Sequence, residues 1–432
     1  MAYTREIAWV AVAQGAAFVG GLAVVKTTAA ALGPAEYGKL SVALAIISIS
    51  QICFYGSISQ TASRFLAFAN SHNLLKRYEI SLGKFAVVAA ASIALFGVVA
   101  SALGDQGLLP VPAALLCAYA IINGFQAIAI AVCNAARKRE LVAITQAAEA
   151  LVRPILILLI TRATGATAYH ALFAYVISTC LICLVIVVLW STADWSSVTN
   201  YVSAPKRSDE IVTSQQLTWL MITYTSTFVM FGILGALGSN GERLLLAKWV
   251  DWSDVGVYTV MAQLVMAPNV LFTNVINQFY FPMVFQFDPD GRCEVIRSFH
   301  LYMLISVSGV AAITAVTSMF GSFLISVFAT RAFLGHEHLL WLLGMSAGLF
   351  CVGQQLVLPG LRLGKPAVYM PAKFFHSVAL LGLSVVFVPM WGVDGMGWAS
   401  LMSSITYLCA IMLANAWLQR DSKQSTLRMA QL

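Results

Sequence analysis

Seven ionisable side chains stand inside apolar runs long enough to cross a bilayer: Lys26, Glu149, Arg153, Glu242, Arg243, Lys373 and His376. A Lys or Arg at mid-membrane costs about 2.5–3.5 kcal/mol on insertion scales unless it meets water, a counter-ion or a ligand. The four cations together cost roughly 10–14 kcal/mol, a sum that asks for a use. Ammonium and guanidinium groups held in such surroundings select anions. Glu149, Glu242 and His376 could balance that charge or couple it to protons.

The spacing of these residues sharpens the reading. In the stretch from Thr145 to Arg153, the side chains of Thr145, Gln146, Glu149 and Arg153 fall on one helical face, a polar stripe directed inward. Lys26 and Arg243 occupy nearly equivalent places in two halves of the chain, as do Glu149/Arg153 and Lys373/His376. Blander roles stay open at this level. Glu149 and Arg153 could simply neutralise each other, and Lys26 could reach the headgroups by extending its stem. Glu242 and Arg243 could lie in a loop if their helix ends at Gly238. Lys373 could flank its span, and His376 could be a satisfied core histidine.

The elements that carry these residues follow from composition. The chain has 432 residues, 60% hydrophobic and only 10% charged, where a soluble domain is roughly 25% charged. About 20 apolar residues span the ~30 Å hydrocarbon core, and runs of that length recur from end to end. They are too long and too uniformly apolar for barrel strands, so the expected fold class is an all-α membrane protein. Twelve helices are expected, over residues 7–32, 39–63, 80–103, 112–134, 141–162, 169–190, 216–249, 255–285, 298–328, 338–361, 370–390 and 395–418. Breaks are supported by Gly33-Pro34, by Gly104 to Pro112 and by Trp391-Gly392. The first run is read as a retained span, since it lacks the short apolar core and small-residue cleavage site of a signal peptide.

Orientation follows from the flanking cations. Of the 25 Lys and Arg residues, four lie at membrane depth and four (Lys39, Arg162, Lys248 and Arg331) fall on one side; the other seventeen collect on the opposite side. The positive-inside rule therefore puts both termini in the cytoplasm. The net charge of +7 is spread along span ends, which argues against a nucleic-acid partner.

The chain also repeats itself. Gly21, Lys26 and Glu36-Tyr37-Gly38 in the first half are echoed by Gly238, Arg243 and Asp254-Val255-Gly256 in the second. Asn134 to Arg139 similarly resembles Gly360 to Lys365. Six spans per half is an even number, so the halves are parallel repeats, one of the plans of secondary transporters. The expected organisation is a first six-helix bundle over 1–195, a cytoplasmic linker over 196–215, a second bundle over 216–418 and a tail over 419–432. The seventh span covers roughly 50 Å at 1.5 Å per residue, and Gly238 to Gly241 is its expected kink. Gly20 and Gly21 are the matching hinge in the first half.

Other motifs add little. A phosphate-binding loop of the G-x-x-x-x-G-K-[ST] type is missing from the sequence, and no stretch outside the spans is long enough for a catalytic domain. The longest outer loop is expected around 321–337. Cys180 and Cys183 have C-x-x-C spacing but sit in an apolar helix with no basic neighbour, as packing thiols do. His336-Glu337-His338 suggests a metal cluster, yet adjacent residues chelate poorly without a distant partner, so no metal and no cofactor is expected.

At LGPAEYGKLSVALAI, GSISQTASRFLA, DVGVYTVMAQL and GVDGMGWASLMSSI the chain resembles the polysaccharide-transporter branch of the MOP exporter superfamily, the Wzx-type flippases of O-antigen and capsule repeat units. The resemblance implies two six-helix bundles in a V, working by alternating access in a bacterial inner membrane. It implies an undecaprenyl-pyrophosphate-linked oligosaccharide as cargo, moved from inner to outer leaflet, with membrane lipids and polysaccharide polymerases as partners. Lys26, Arg153, Arg243 and Lys373 would line the cavity with cations, and Arg64 would stand at its inner mouth. The drug-exporting branch usually carries a carboxylate in the first span of a half, where this chain has Lys26. A multidrug or cation antiporter of the same fold is the alternative, and a membrane-embedded glycan polymerase or ligase a more remote one.

Overall fold

The computed structural model describes residues 2–103, 109–192, 213–285, 292–362 and 366–430, and among them all regular structure is helical. The expected linker over 196–215 lies almost wholly outside the described residues. Helix α1 runs Ala2–Ser50 and passes through a π-helical stretch, Gln51–Gly56, into α2, Ser57–Ser71. Then come α3 (Leu75–Leu103), α4 (Ala113–Ala135), α5 (Arg139–Thr164) and α6 (Ala168–Thr192). The second half holds α7 (Ser214–Trp249), α8 (Trp252–Phe285), α9 (Arg292–Met319), α10 (Gly321–Phe328), α11 (Leu339–Leu356), α12 (Leu358–Arg362) and α13 (Met370–Ala430).

Nine stretches of helix among the described residues are long and apolar enough to cross a membrane. Two of them are each a pair of helices joined at a glycine. In α1 the joint is Gly33, at φ +70°, with Pro34 after it. In α13 it is Gly392, at φ +58°. A left-handed φ suits glycine because no Cβ clashes there, and proline has no N–H for the preceding turn. Dividing both pairs and adding α7 gives the twelve spans read from the sequence. The stretch 321–337 is not a plain loop, since it contains α10 and a 3-10 turn over Arg331–Phe333.

Lipid explains the surface. Leu95, Val98, Leu413 and Met319 are 66%, 67%, 72% and 80% exposed, which costs nothing against hydrocarbon. Without a hydrophobic drive between helices, close packing of small residues holds the bundle. At Gly20 a Cβ would run into the Cβ and Cα of Ala150, so α1 and α5 touch backbone to backbone. At Gly124 it would strike the ring of Tyr55, which is fully buried in the π-helical stretch.

The chain divides into two compact units, Met1–Asn240 and Gly241–Leu432, with the boundary inside α7. In the first unit, the leading part of α7 packs on α2 and α3. Thr61 and Thr225 share a hydrogen bond of 2.7 Å, and Arg77 Nε donates to Thr218 Oγ1 at 3.0 Å. In the second, α8, α9, α11 and α13 enclose the buried side chains of Tyr258, Tyr302 and Tyr407.

Candidate functional site

In the first unit, Glu149 and Arg153 lie one turn apart on α5 and form an ion pair. Gln126 of α4 donates through Nε2 to the other carboxylate oxygen at 3.0 Å. The guanidinium lies 4.9 Å over the ring of Tyr175 on α6, and Tyr119 meets that ring edge-on at 5.8 Å. Gln126, Tyr119 and Tyr175 are all buried. The node is therefore locally neutral and held by neighbours from three helices, although Arg153 Nε and Gln126 Oε1 are buried with no hydrogen-bond partner among the described residues. Thr145, on the same stripe, turns its hydroxyl back to the carbonyls of Leu141 and Val142.

Lys26 stands on the exposed side of α1, flanked by buried Val25 and Thr28. No carboxylate pairs with it among the described residues. Arg64, also exposed, lies 4.5 Å over the ring of Tyr224, and Phe65 meets the same ring edge-on at 5.7 Å. Arg64 is thus held by an aromatic face on α7, leaving its charge without a carboxylate among the described residues.

In the second unit, adjacent residues have opposite fates. Glu242 Oε2 accepts hydrogen bonds from Tyr258 Oη at 2.7 Å and Ser400 Oγ at 3.2 Å, bringing α7, α8 and α13 together. The carboxylate is served by hydroxyls and not by the arginine beside it. Arg243, like Arg153, keeps a buried Nε that has no hydrogen-bond partner among the described residues. A buried donor left unmade costs about 1–3 kcal/mol, and more for a charged group, so a ligand that accepts from it gains that much. Lys373 is half-buried on α13 with no ion-pair partner among the described residues.

His376 is buried in an aromatic cluster. Its ring lies 5.0 Å from Phe350 and 5.4 Å from Tyr407, with those two 5.1 Å apart. Neither expected hinge breaks its helix: Gly20 and Gly21 lie within continuous α1, and Gly238 to Gly241 within continuous α7. Gly20 is occupied with close packing instead, and a Cβ on Gly241 would stand 3.0 Å from Leu381 Cδ2.

Sequence reasoning missed the partners. Gln126, Tyr175, Tyr258 and Ser400 look in sequence like ordinary residues of apolar helices. Only Tyr258 carried a hint, since it follows the repeated acid-x-Gly turn by two positions.

With this geometry in hand, solved structures share the fold. An inward-facing multidrug resistance MATE family transporter of the MOP superfamily is 12% identical over 96% of this chain and 95% of its own, with a TM-score of 0.64. A MATE transporter of Vibrio cholerae is 14% identical over 97% and 98%, at 0.63. The lipid II flippase MurJ, in an inward closed conformation, is 10% identical over 96% and 87%, also at 0.63. No curated protein sequence matches. The shared fold is that of multi-pass helical membrane proteins such as these. The profile of the family described as Polysaccharide biosynthesis protein matches residues 3–288. The chain belongs to that family.

Proposed function

We propose that the protein flips an undecaprenyl-pyrophosphate-linked oligosaccharide, an O-antigen, capsule or exopolysaccharide repeat unit, from the inner to the outer leaflet of a bacterial cytoplasmic membrane. The observation that carries this reading is the set of cations in apolar helices with no carboxylate partner among the described residues: Lys26, Arg243 and Lys373. A pyrophosphate supplies the counter-charge that these residues lack. Charge-assisted hydrogen bonds to phosphate are about twice as strong as neutral ones. Arg64 gathers the anion at the cytoplasmic entrance, and Glu149 with Arg153 keeps α4, α5 and α6 in register. Both termini face the cytoplasm, and the polyprenyl tail stays in lipid while the sugars pass. Cycling bends α1 near Gly20-Gly21 and α7 near Gly238-Gly241. Membrane lipids and the polymerase that takes up the flipped unit are the partners.

Alanine at Lys26, Arg243 and Lys373 tests this in cells that depend on the protein for surface polysaccharide. The expected result is loss of the surface polymer with lipid-linked precursor accumulating inside. Retained polymer, or lost export of cationic drugs with normal polymer, overturns the assignment in favour of an antiporter of the same fold.

A further inference from the structure

The stretch His336-Glu337-His338 lacks a distant ligand in sequence, and the fold supplies one. The chain leaves α10, makes the 3-10 turn anchored by fully buried Phe333, and passes Gly335 at φ +115°. The carbonyls of His336 and Glu337 then accept the N–H groups of Leu339 and Leu340, both fully buried, at 3.0 Å each. That fixes the loop at the start of α11. From the other side, the left-handed Gly392 turns the chain so that Asp394 reaches the same place.

One ligand atom from each of His336, His338 and Asp394 lies within 4.8 Å of the others. His338 Nε2 is already 2.6 Å from Asp394 Oδ1. His336 Nδ1 is buried and has no hydrogen-bond partner among the described residues, leaving a lone pair or N–H free for a ligand. Four-coordinate zinc with bonds of about 2.0–2.1 Å needs donors roughly 3.3–3.4 Å apart, reached here by small side-chain adjustments. Glu337 is not part of this cluster.

We propose that His336, His338 and Asp394 form a site for a divalent transition-metal ion of the zinc class, clipping the loop before α11 to the turn within α13. Two imidazoles and one carboxylate suit zinc, cobalt, nickel or copper, whereas calcium and magnesium want oxygen alone. Three protein ligands leave a fourth position for water. Exposed Trp391 and Trp398 line a pocket together with Asp394, and exposed Trp341 meets Trp398 edge-on at 6.1 Å. Tryptophans of this kind mark a membrane–water interface, which puts the site within reach of aqueous metal. The inference does not depend on the cargo.

The test uses the full chain, purified without a histidine tag, stripped with chelator and titrated with zinc chloride against a competing chelator. Cobalt(II) is added in parallel and read by its visible ligand-field bands. One equivalent is expected to bind. Loss of a mere outer-shell partner weakens metal affinity about 10–100-fold, so His336→Gln, His338→Gln and Asp394→Asn should each weaken it at least that far. Glu337→Gln and His170→Gln should leave it unchanged, and Asp394→His should restore it with a shifted cobalt spectrum. A merely structural His338–Asp394 hydrogen bond would not produce that rescue. Absence of stoichiometric binding, or binding that survives all three ligand substitutions, overturns the proposal.

Discussion

Replacing Glu149 by Gln isolates the worth of the paired charges on α5. The change removes the counter-charge of largely buried Arg153 and leaves it the ring of Tyr175 and an uncharged amide oxygen. Breaking a buried pair from one side costs about 3–5 kcal/mol. The Arg153 and Glu149 side chains retain 17% and 23% exposure, so some water reaches the orphaned charge and the lower end, about 3 kcal/mol, applies. For a unit of this size, about 2–4 °C of melting temperature accompanies each kcal/mol, giving a drop of about 6–12 °C. Replacing both residues by apolar ones of similar volume, Glu149→Leu with Arg153→Met, is close to neutral by the same principle. The double variant should therefore melt within a few degrees of the parent, far above Glu149→Gln. Thermal unfolding in one detergent at one scan rate measures all variants. Two equal single losses that simply add in the double variant would refute the neutral-node reasoning. So would a stable double variant that no longer moves cargo, because Arg153 would then contact the substrate directly.

Gly20→Leu should drive α1 from α5, since even a Cβ meets Ala150. Overpacking of this kind costs about 1–3 kcal/mol, readable as a lower midpoint, whereas Gly21→Leu faces open space and should be silent. Tyr258→Phe removes the 2.7 Å donor to Glu242 and leaves the carboxylate to Ser400. A hydrogen bond to a charged group is worth about 1.5–3 kcal/mol, and the expected loss of stability should be much smaller in a Glu242→Gln background, a comparison made by the same melting assay.

Hydropathy alone located the spans because the bilayer imposes length and apolarity on each one. It also located both glycine joints, since Gly33-Pro34 and Trp391-Gly392 combine a residue tolerant of left-handed φ with a break in the apolar pattern. What hydropathy does not encode is the face each residue turns to its neighbours. Gln126 reaches Glu149 across 23 positions and Ser400 reaches Glu242 across 158, and nothing in local spacing announces either. The expected kink at Gly238 to Gly241 shows the limit from the other side. A cluster of small residues permits bending, but it also permits the close approach of Leu381 to Gly241, and the helix is continuous through it. Asp394 stands 56 positions from His338, which is why the histidine pair looked incomplete in sequence.

The π-helical stretch Gln51–Gly56 has a consequence for comparing this chain with others. A π turn closes its hydrogen bond one residue later than an α turn, so the helix beyond it is rotated by about one residue's worth, roughly 100°. Thr61, Arg64 and Phe65 meet α7 only because of that phase shift. An aligned sequence that lacks one residue between Ile52 and Gly56 and forms a plain α turn there would thus carry a genuine deletion within the helix, and the side chains after it would keep the faces they have here. Placing the gap in the nearest loop instead would match residues that never occupy the same position in space.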